Sequence, residues 1–412
     1  MGSTHTLLTP TIIAKEALMK LRNNLVMGSK VHRNYEMEFP GSPKKGGSVT
    51  IRKPNKFKVT TGRTRSTSVI TEQSITLTVS EQKHVSWAFN TKDLTLTIEE
   101  YKDRYIEPAA IALANEIDAT ICALYKDVWN DVYESTGFVT PESFLVLGKA
   151  AQRLDEESVP RDQRCIVLNP AANWSLANAL KNMYVTSVSG PALKKGYLAT
   201  IAGYEIFMDQ NIKVHTTGDF HDTGSTAALI VATTGGNTGT LVELAHGRIV
   251  ASQALNIGDV FTMADVHAVN PVSGESTGVL RQFVVTAVAD ATATATSAII
   301  ALNVEPELID TGAYKTVTTL PAGGAAVTVL GTQGEPYPEN LAFHKNAFAL
   351  VMVPLAKPEG AWGSVATEAG FSIRVVKDYD INTDDEICRM DVLYGVKTIY
   401  PELACRIRGA EG

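Results

Sequence analysis

A stripe of apolar residues at helical spacing, running from Thr97 to Tyr133, constrains this chain more than any other feature. The segment opens with Thr97-Ile-Glu-Glu100, and a Thr followed three residues later by a Glu is the pattern of a helix capping box. The apolar positions that recur every three or four residues are Ile98, Tyr101, Tyr105, Ala109, Ala112, Leu113, Ile117, Ile121, Leu124 and Val128. This spacing predicts one long helix. Pro108 predicts a kink or short break inside it, because its ring removes one backbone hydrogen bond.

Length and composition predict a soluble protein of two or three domains. A chain of 412 residues exceeds what one simple core usually holds. With 44% hydrophobic and 20% charged residues, it has no apolar run near the roughly 18–20 residues of a membrane span. We also expect no secretory signal peptide at its start. The scattered cysteines predict reduced, buried thiols, neither a disulfide framework nor a metal cage; they are Cys122, Cys165, Cys388 and Cys405.

Charge is distributed unevenly along the chain. The net charge is −7, yet residues 1–65 hold 13 basic side chains against 3 acidic ones. A basic arm on an acidic body has two physical interpretations: it binds nucleic acid, or it lies on the acidic surface of a neighbouring copy. The overall acidity argues against a dedicated DNA-binding protein, whose domains are usually basic.

The basic groups concentrate in an extended segment before the long helix. Apolar and polar residues alternate from Ser48 to Val59 and again from Ile75 to Phe89, which predicts a long hairpin and a return strand. Such a strand pair has too few apolar residues to form its own core, so we interpret it as a solvated surface hairpin, a flap, or a limb that packs on another molecule. Its basic residues are candidate contacts between subunits: Lys44, Lys45, Arg52, Lys53, Lys56, Lys58, Arg63 and Arg65.

A first helix and an α/β block flank this region. Thr9-Pro10 predicts the start of the first helix and Gly28 its end. After the long helix, the predicted elements are a helix from Thr140-Pro141 to about Leu154, a strand Cys165–Leu168, a helix starting at Asn169-Pro170, and a hairpin of Tyr197–Ile201 and Tyr204–Met208.

Residues 217–335 have a different composition. This stretch is rich in Gly, Thr, Ala, Val and Ser and has almost no helical periodicity, which favours a small β-barrel or sandwich. The predicted strands are Ala228–Ala232, Thr240–Val242, Val260–Met263, Phe283–Ala289, Ala298–Asn303 and Val327–Leu330. Because Tyr204–Val214 before it and Ala347–Pro354 after it both resemble strands of the α/β block, we interpret the stretch as an inserted β domain.

The C-terminal region returns to long strands. They are predicted at Phe371–Lys377, Glu386–Leu393, Val396–Tyr400 and Leu403–Ile407, and we expect them to complete a sheet begun near Val85–Phe89. The turn between the first two is acidic and lacks the ordered spacing of a calcium loop. We interpret it as a solvated turn or as a docking point for a basic partner, with Asp380, Asp384, Asp385 and Glu386 as contact candidates.

Catalytic and cofactor motifs are absent from the sequence. There is no GxSxG, GxxxxGK[ST] or HExxH. The glycine-rich run Gly235–Gly239 fits a loop better than a phosphate site, because no helix is predicted after it. His215, Asp219, His221 and Asp222 have the chemistry of metal ligands but match no metal-binding spacing. We therefore predict a protein that is not an enzyme and that has no cofactor.

The order of these elements resembles the major capsid proteins of tailed bacteriophages, with the fold known from phage Hong Kong 97. The similarity is greatest to coat proteins of short-tailed phages that carry an inserted domain. It covers nearly the whole chain, and the order of elements carries more of it than any single motif. The phrases that contribute are Gly47-Ser-Val-Thr-Ile-Arg-Lys-Pro54, Glu72-Gln-Ser-Ile-Thr-Leu-Thr78, Ala342-Phe-His-Lys-Asn-Ala-Phe348 and Tyr394-Gly-Val-Lys-Thr-Ile-Tyr-Pro-Glu-Leu403.

The resemblance implies an α+β, Hong Kong 97-like capsid fold with an inserted all-β domain. The implied divisions are an N-terminal arm and helix (1–46), an extended hairpin loop over an adjacent subunit (47–82), a peripheral domain with the spine helix (83–136 and 371–412), an axial domain (137–216 and 336–370) and an inserted β-barrel domain (217–335). Some relatives form a Lys–Asn crosslink, but no motif here locates one, so we predict non-covalent assembly.

The implied function is that of a structural subunit of the icosahedral shell around a phage genome. The implied partners are many copies of the chain itself in hexamers and pentamers, a scaffolding protein, a portal, and packaged DNA bound non-specifically on the inner face; no membrane is involved. We expect assembly in the host bacterial cytoplasm and residence in the virion capsid. The alternatives are a nucleic-acid-binding protein that uses residues 44–65, and an α/β enzyme with a β lid.

Overall fold

The computed structural model describes residues 10–35, 47–57, 59, 61–63, 72–90, 102–134, 140–180, 200–218, 229–232, 237–246, 255–290, 298–358, 360, 362–380 and 385–409. Helices and strands are mixed throughout. The described α-helices are α1 (Pro10–Asn24), α2 (Met27–Lys30), α3 (Glu107–Cys122), α4 (Phe144–Glu156) and α5 (Pro170–Leu180).

The strands follow in chain order. Those before residue 220 are β1 (Ser48–Arg52), β2 (Ser74–Thr78), β3 (Glu81–Asn90), β4 (Asp131–Tyr133), β5 (Arg164–Leu168), β6 (Thr200–Ile201), β7 (Tyr204–Met208) and β8 (Val214–Thr216). Those after it are β9 (Ile230–Val231), β10 (Gly239–His246), β11 (Val260–Val269), β12 (Ser276–Asp290), β13 (Ala298–Leu308), β14 (Val327–Val329), β15 (Pro336–Pro338), β16 (Asn340–His344), β17 (Phe348–Met352), β18 (Trp362–Glu368), β19 (Phe371–Asp380), β20 (Asp385–Thr398) and β21 (Ala404–Arg408).

The chain divides into two compact units. The first comprises Met1–Lys53, Ser74–Ile121 and Phe348–Ile399. The second comprises Pro54–Gln73, Cys122–Ala347 and Tyr400–Gly412. The five domains proposed from the sequence divide the chain differently, and their boundaries stay a prediction.

In the first unit, β20 is the central strand of an antiparallel sheet. It pairs with β17, with β19 and, along residues 385–394, with β3, while β18 lies outside β19. The expected sheet between the C-terminal strands and Val85–Phe89 is therefore confirmed. Helix α1 packs against β18 and β19 because its buried residues recur on one face; they are Ile13, Ala14, Ala17, Leu18 and Leu21.

The long helix is shorter than the apolar stripe predicts. A π-helical turn spans Lys102–Ile106, α3 follows, and a 3-10 turn spans Ala123–Asp127 before β4 begins at Asp131. The prediction that the helix reaches Tyr133 is wrong, because the helix ends at Cys122 and the buried residues that follow lie in a 3-10 turn, an irregular segment and a strand of the second unit. Pro108 lies in the first turn of α3, directly after the π-helical turn, and the predicted break is this change of helix type.

Gly28 does not end the first helix. Helix α1 stops at Asn24, and Gly28 lies inside the next short helix, α2. A Cβ atom at Gly28 would lie 3.2 Å from Leu25 Cδ2 and 3.4 Å from Asp118 Oδ1. Close approach to a neighbouring carboxylate, and not a turn, therefore accounts for this glycine.

The second unit contains a mixed six-stranded sheet in the order β4-β21-β16-β5-β7-β6. The pairs β4–β21 and β5–β7 are parallel and the others are antiparallel. Apolar residues of α4 and α5 share a core cluster with this sheet. The prediction of β5 is confirmed. The predicted turn at Ala202-Gly203 joins β6 to β7, and the φ angles of Ala202 and Gly203 are 52° and 82°.

Three strand predictions in these regions need correction. Residues 396–398 continue β20 and do not form a separate strand. Strand β17, predicted as part of the α/β block, pairs with β20 in the first unit. The strand beside β5 is β16, which the sequence analysis did not predict. Strand β21 joins the mixed sheet through β16 and β4 instead of extending the C-terminal meander. In each case the pattern predicts a strand correctly, but alternation does not encode its partner.

All six strands predicted between residues 217 and 335 are present in one sheet, in the order β14-β11-β12-β13-β10-β9. Its edges are joined as well, because Val231 N–H donates to Ala325 O at 2.9 Å and Val327 N–H donates to Leu229 O at 2.8 Å. The sheet therefore closes on itself as a small barrel. Its interior is apolar, with the Phe261 and Phe283 ring centroids 5.9 Å apart.

Candidate assembly interface

The basic limb, residues 47–63 as far as they are described, starts from an ordered hairpin. Strands β1 and β2 pair antiparallel, with Val49 opposite Leu77 and Ile51 opposite Ile75. Ile51 and Leu77 are buried. Beyond Arg52 the limb leaves the hairpin, and Phe57 and Val59, predicted to continue the strand, lie outside any described strand with exposed fractions of 69% and 92%.

The candidate cations lie on or beside this limb. Arg52, Lys56 and Arg63 are exposed and Lys53 is half-buried. The backbone N–H of Lys56 donates to the Tyr314 hydroxyl at 3.3 Å, so the limb is hydrogen-bonded to another segment of the second unit. The other four candidates, Lys44, Lys45, Lys58 and Arg65, lie outside the described residues.

The acidic turn between β19 and β20 is only partly described. Asp380 lies opposite Asp385 in the strand register, and Tyr379 lies opposite Glu386. Glu386 forms an ion pair with Lys377, so its charge is already partnered within the chain. Asp384, and the side chain of Asp385, lie outside what the structure describes. The role of these carboxylates as subunit contacts stays a prediction.

An open apolar groove in the first unit lies between β3 and the start of α3. Its volume is about 300 Å³. The sequence did not indicate this groove, because its lining comes from two segments that are distant in the sequence, and the apolar residues of each segment were expected to be buried in the core. The lining residues are Val85, Trp87, Arg104, Tyr105, Pro108, Ala109 and Ala112.

A buried polar cluster occupies the second unit, beside the strands that precede and follow residues 217–335. His215 Nε2 lies 2.8 Å from Asp259 Oδ1, and its Nδ1 lies 3.1 Å from the Tyr125 hydroxyl. The second oxygen of Asp259 accepts the N–H groups of Gly218 at 3.0 Å and Asn256 at 2.6 Å. His215 is therefore a hydrogen-bonded core residue. Asp219, His221 and Asp222 lie outside the described residues, within which no group of metal-ligating side chains was found.

Two arginines and two further carboxylates complete this cluster. Arg408 forms an ion pair with Asp131, and Arg406 Nη1 donates to the Gly258 carbonyl at 2.7 Å. Burial raises the pKa of Glu339, and Asp131 adds to the rise, while Arg406, Arg408 and His215 oppose it. Burial, with Glu339 adding to its effect, raises the pKa of Tyr125 to about 12. These residues therefore form a buried network of hydrogen bonds and charges in the second unit.

The comparisons with known proteins match the resemblance read from the sequence. The model of the family described as "P22 coat protein - gene protein 5" matches residues 3–407. This chain belongs to that coat protein family.

Among curated proteins, the "Major capsid protein" of Acyrthosiphon pisum secondary endosymbiont phage 1 is 31% identical over 96 residues. That match spans 23% of this chain and 23% of the relative.

Solved structures of phage particles also match. One is described as "Mycobacterium phage Che8", with a TM-score of 0.48 and 14% identity over 93% of this chain and 90% of that chain. Another is described as "Capsid structure of the Cyanophage P-SCSP1u", with a TM-score of 0.45 and 10% identity over 89% of this chain and 85% of that chain.

For a member of the coat protein family, a surface that contacts other copies is the relevant functional site. No helix within the described part of the chain is long and apolar enough to cross a membrane. The described cysteines are all buried and free, in line with the predicted reduced thiols. Burial also raises the pKa of Cys405, which keeps that thiol protonated and unreactive.

Proposed function

We propose that this chain is a major capsid protein, a structural and non-catalytic subunit that self-assembles into the icosahedral shell of a tailed phage. The observation that carries the proposal is the family match over residues 3–407, which leaves almost no part of the chain outside the coat protein family. The finer architecture belongs to the same proposal: a Hong Kong 97-like subunit with the divisions given above and residues 217–335 as an inserted barrel.

The exposed basic limb supports an assembly role. Its apolar side chains Phe57 and Val59 are exposed to solvent, so they do not stabilise an isolated subunit, whereas burial against another copy would be favourable. The limb is basic while the rest of the chain is acidic, so limb and body of neighbouring copies attract each other. A contact between two different surfaces repeats around a ring and closes it, as hexamers and pentamers require.

The remaining partners follow from the same role. A shell that encloses a genome meets DNA on its inner face, and it assembles around a scaffolding protein and a portal in the cytoplasm of the host bacterium before becoming the virion capsid. Contacts between subunits are non-covalent. The described ion pairs and buried thiols serve folding within one subunit, and no cofactor enters the proposal.

Particle size tests this function. The purified chain, alone and with a scaffolding partner, is studied by size exclusion with light scattering and by electron microscopy. Closed particles of megadalton mass are the expected result. A chain that stays monomeric under every assembly condition and binds DNA with a steep salt dependence would instead support the nucleic-acid-binding alternative.

A further inference from the structure

The turn between β11 and β12 holds an apolar side chain rigidly in solvent. Asn270 Oδ1 accepts the N–H groups of Val272 at 2.8 Å and of Ser273 at 3.1 Å. The Gly274 N–H donates to Asn270 O at 2.8 Å, and the Asn270 N–H donates to Glu275 O at 2.9 Å. Val272 is nevertheless 80% exposed. A turn with this many internal bonds is preorganised, so little conformational entropy is lost when its tip is bound.

The groove of the first unit has the matching shape and chemistry. Its volume of about 300 Å³ is roughly ten times the ~30 Å³ that one water molecule takes in the liquid, so it accommodates a branched aliphatic side chain. Its lining is apolar except for Arg104, which is exposed at the rim. The turn carries an exposed carboxylate, Glu275, three residues after Val272. An apolar side chain beside an anion is thus complementary to an apolar groove beside a cation.

We propose that the β11–β12 turn of one copy inserts Val272 into the groove of a second copy, with Glu275 beside Arg104. This inference rests on the proposed function, since it requires that copies of the chain assemble. The occupant is a second copy because a coat protein assembles with copies of itself, and the turn carries the apolar and acidic groups that complement the groove. Such a contact is heterologous and propagates around a ring.

Mixed cysteine variants test the contact. Val272→Cys and Ala112→Cys are made in separate chains, mixed, assembled, and oxidised with copper–phenanthroline. Ala112 is exposed and lines the groove, and the native cysteines of the described chain are buried, so the background is low. A crosslinked dimer on a non-reducing gel is expected only from the mixture. Val214→Cys, at another exposed valine of the second unit, is the matched control and should give at least tenfold less dimer with Ala112→Cys.

Charge reversal gives a second readout. Arg104→Glu in the groove chain should lower the crosslink yield about tenfold, and Glu275→Arg in the turn chain should restore it. If particles form but Val272→Cys crosslinks no better than Val214→Cys, the contact is wrong while the proposed function stands. A dimer from Val59→Cys with Ala112→Cys, in place of Val272→Cys, would assign the groove to the limb and overturn the inference. Failure to form particles at all would overturn both.

Discussion

The carboxylate of Asp118 accepts the backbone N–H of Gly28 at 2.8 Å, and its other oxygen accepts that of Val26 at 2.7 Å. Asp118 is 1% exposed, and it joins α3 to the start of α2, where backbone N–H groups have no intrahelical partner. Asp118→Ala leaves these donors unpaired, and we expect a loss of about 3 kcal/mol in the free energy of unfolding. Urea denaturation followed by circular dichroism measures it.

Asp118→Asn should lose less stability, because its amide oxygen can still accept a hydrogen bond from one of the two backbone N–H groups. Asp162→Asn, at an exposed carboxylate of the second unit, is the control and should change stability little. An Asp118→Ala variant as stable as the control would show that the two hydrogen bonds make no net contribution to the free energy of unfolding.

Because of Glu339, the free energy of unfolding should decrease as the pH rises. Burial raises the pKa of Glu339 in the folded chain above the value of about 4.3 in the unfolded chain, so the fold disfavours the ionised form. The favourable contribution is complete below the unfolded pKa and decreases as pH rises towards the folded pKa. Glu339→Gln removes this titration at nearly constant volume. We therefore expect the variant to match the native chain at acid pH and to be more stable at pH 8.

The measurement is the free energy of unfolding in urea at a series of pH values from 4 to 8. The groups that face Glu339 are Arg406, Arg408, Asp131 and His215, and they are unchanged in both proteins. A Glu339→Gln variant that is less stable than the native chain at pH 8 would contradict this prediction. It would mean that the ionised carboxylate stabilises the fold through its attraction to Arg406 and Arg408.

His215 and Asp259 should be energetically coupled. The Asp259 side chain is fully buried, and His215 is one of its three hydrogen-bonding partners. In a double-mutant cycle of His215→Phe and Asp259→Asn, we expect a coupling free energy of about 2 kcal/mol. Tyr125→Phe removes only the hydrogen bond to the other ring nitrogen of His215 and should lower the free energy of unfolding by about 1 kcal/mol. Additive effects of His215→Phe and Asp259→Asn would show that the pair is not a unit.

The basic limb should be dispensable for folding and essential for assembly. Reversing the charges of Lys53, Lys56 and Lys58 to Glu should leave the circular dichroism spectrum and melting temperature unchanged, because an exposed limb adds little to a core. Particle formation, followed by light scattering, should fail or become aberrant. The same reversal at the exposed Lys15, Lys357 and Lys397 is the control for net charge. Loss of folding in the limb variant would show that the hairpin is part of the core.

Local patterns predicted most strands of this fold and few of its long-range pairings. Period-two alternation located β3, whose described side chains alternate between half-buried and exposed. A composition rich in Gly, Thr, Ala, Val and Ser, with regular short strands, located the six strands between residues 217 and 335. After Cys122 the stripe continues through Leu124 and Val128, but Leu124 lies in the 3-10 turn and Val128 is its C-terminal cap, so helical spacing alone does not distinguish these structures from an α-helix.

The buried charge clusters could not have been predicted from the sequence. Asp391 is fully buried between Arg374 and Arg389, and Arg406 and Arg408 lie on one strand with Glu339 and Asp131 as distant partners. In the sequence these residues look like ordinary surface charges. The candidate contacts of the limb were chosen by composition, and four of the eight lie outside the described residues, so their role stays a prediction.

Strands β8 and β15 pair side by side, with Thr216 opposite Pro336 and Val214 opposite Pro338. Opposed Cα atoms in an antiparallel pair lie only about 5 Å apart, so the chain enters and leaves residues 217–335 at nearly one point. The inserted domain proposed above would therefore be modular: a tight turn could close the gap left by its removal, and another compact domain whose ends lie close together could replace it. In the proposed architecture, this geometry offers one place at which a whole domain can be gained, lost or replaced by a foreign domain for display.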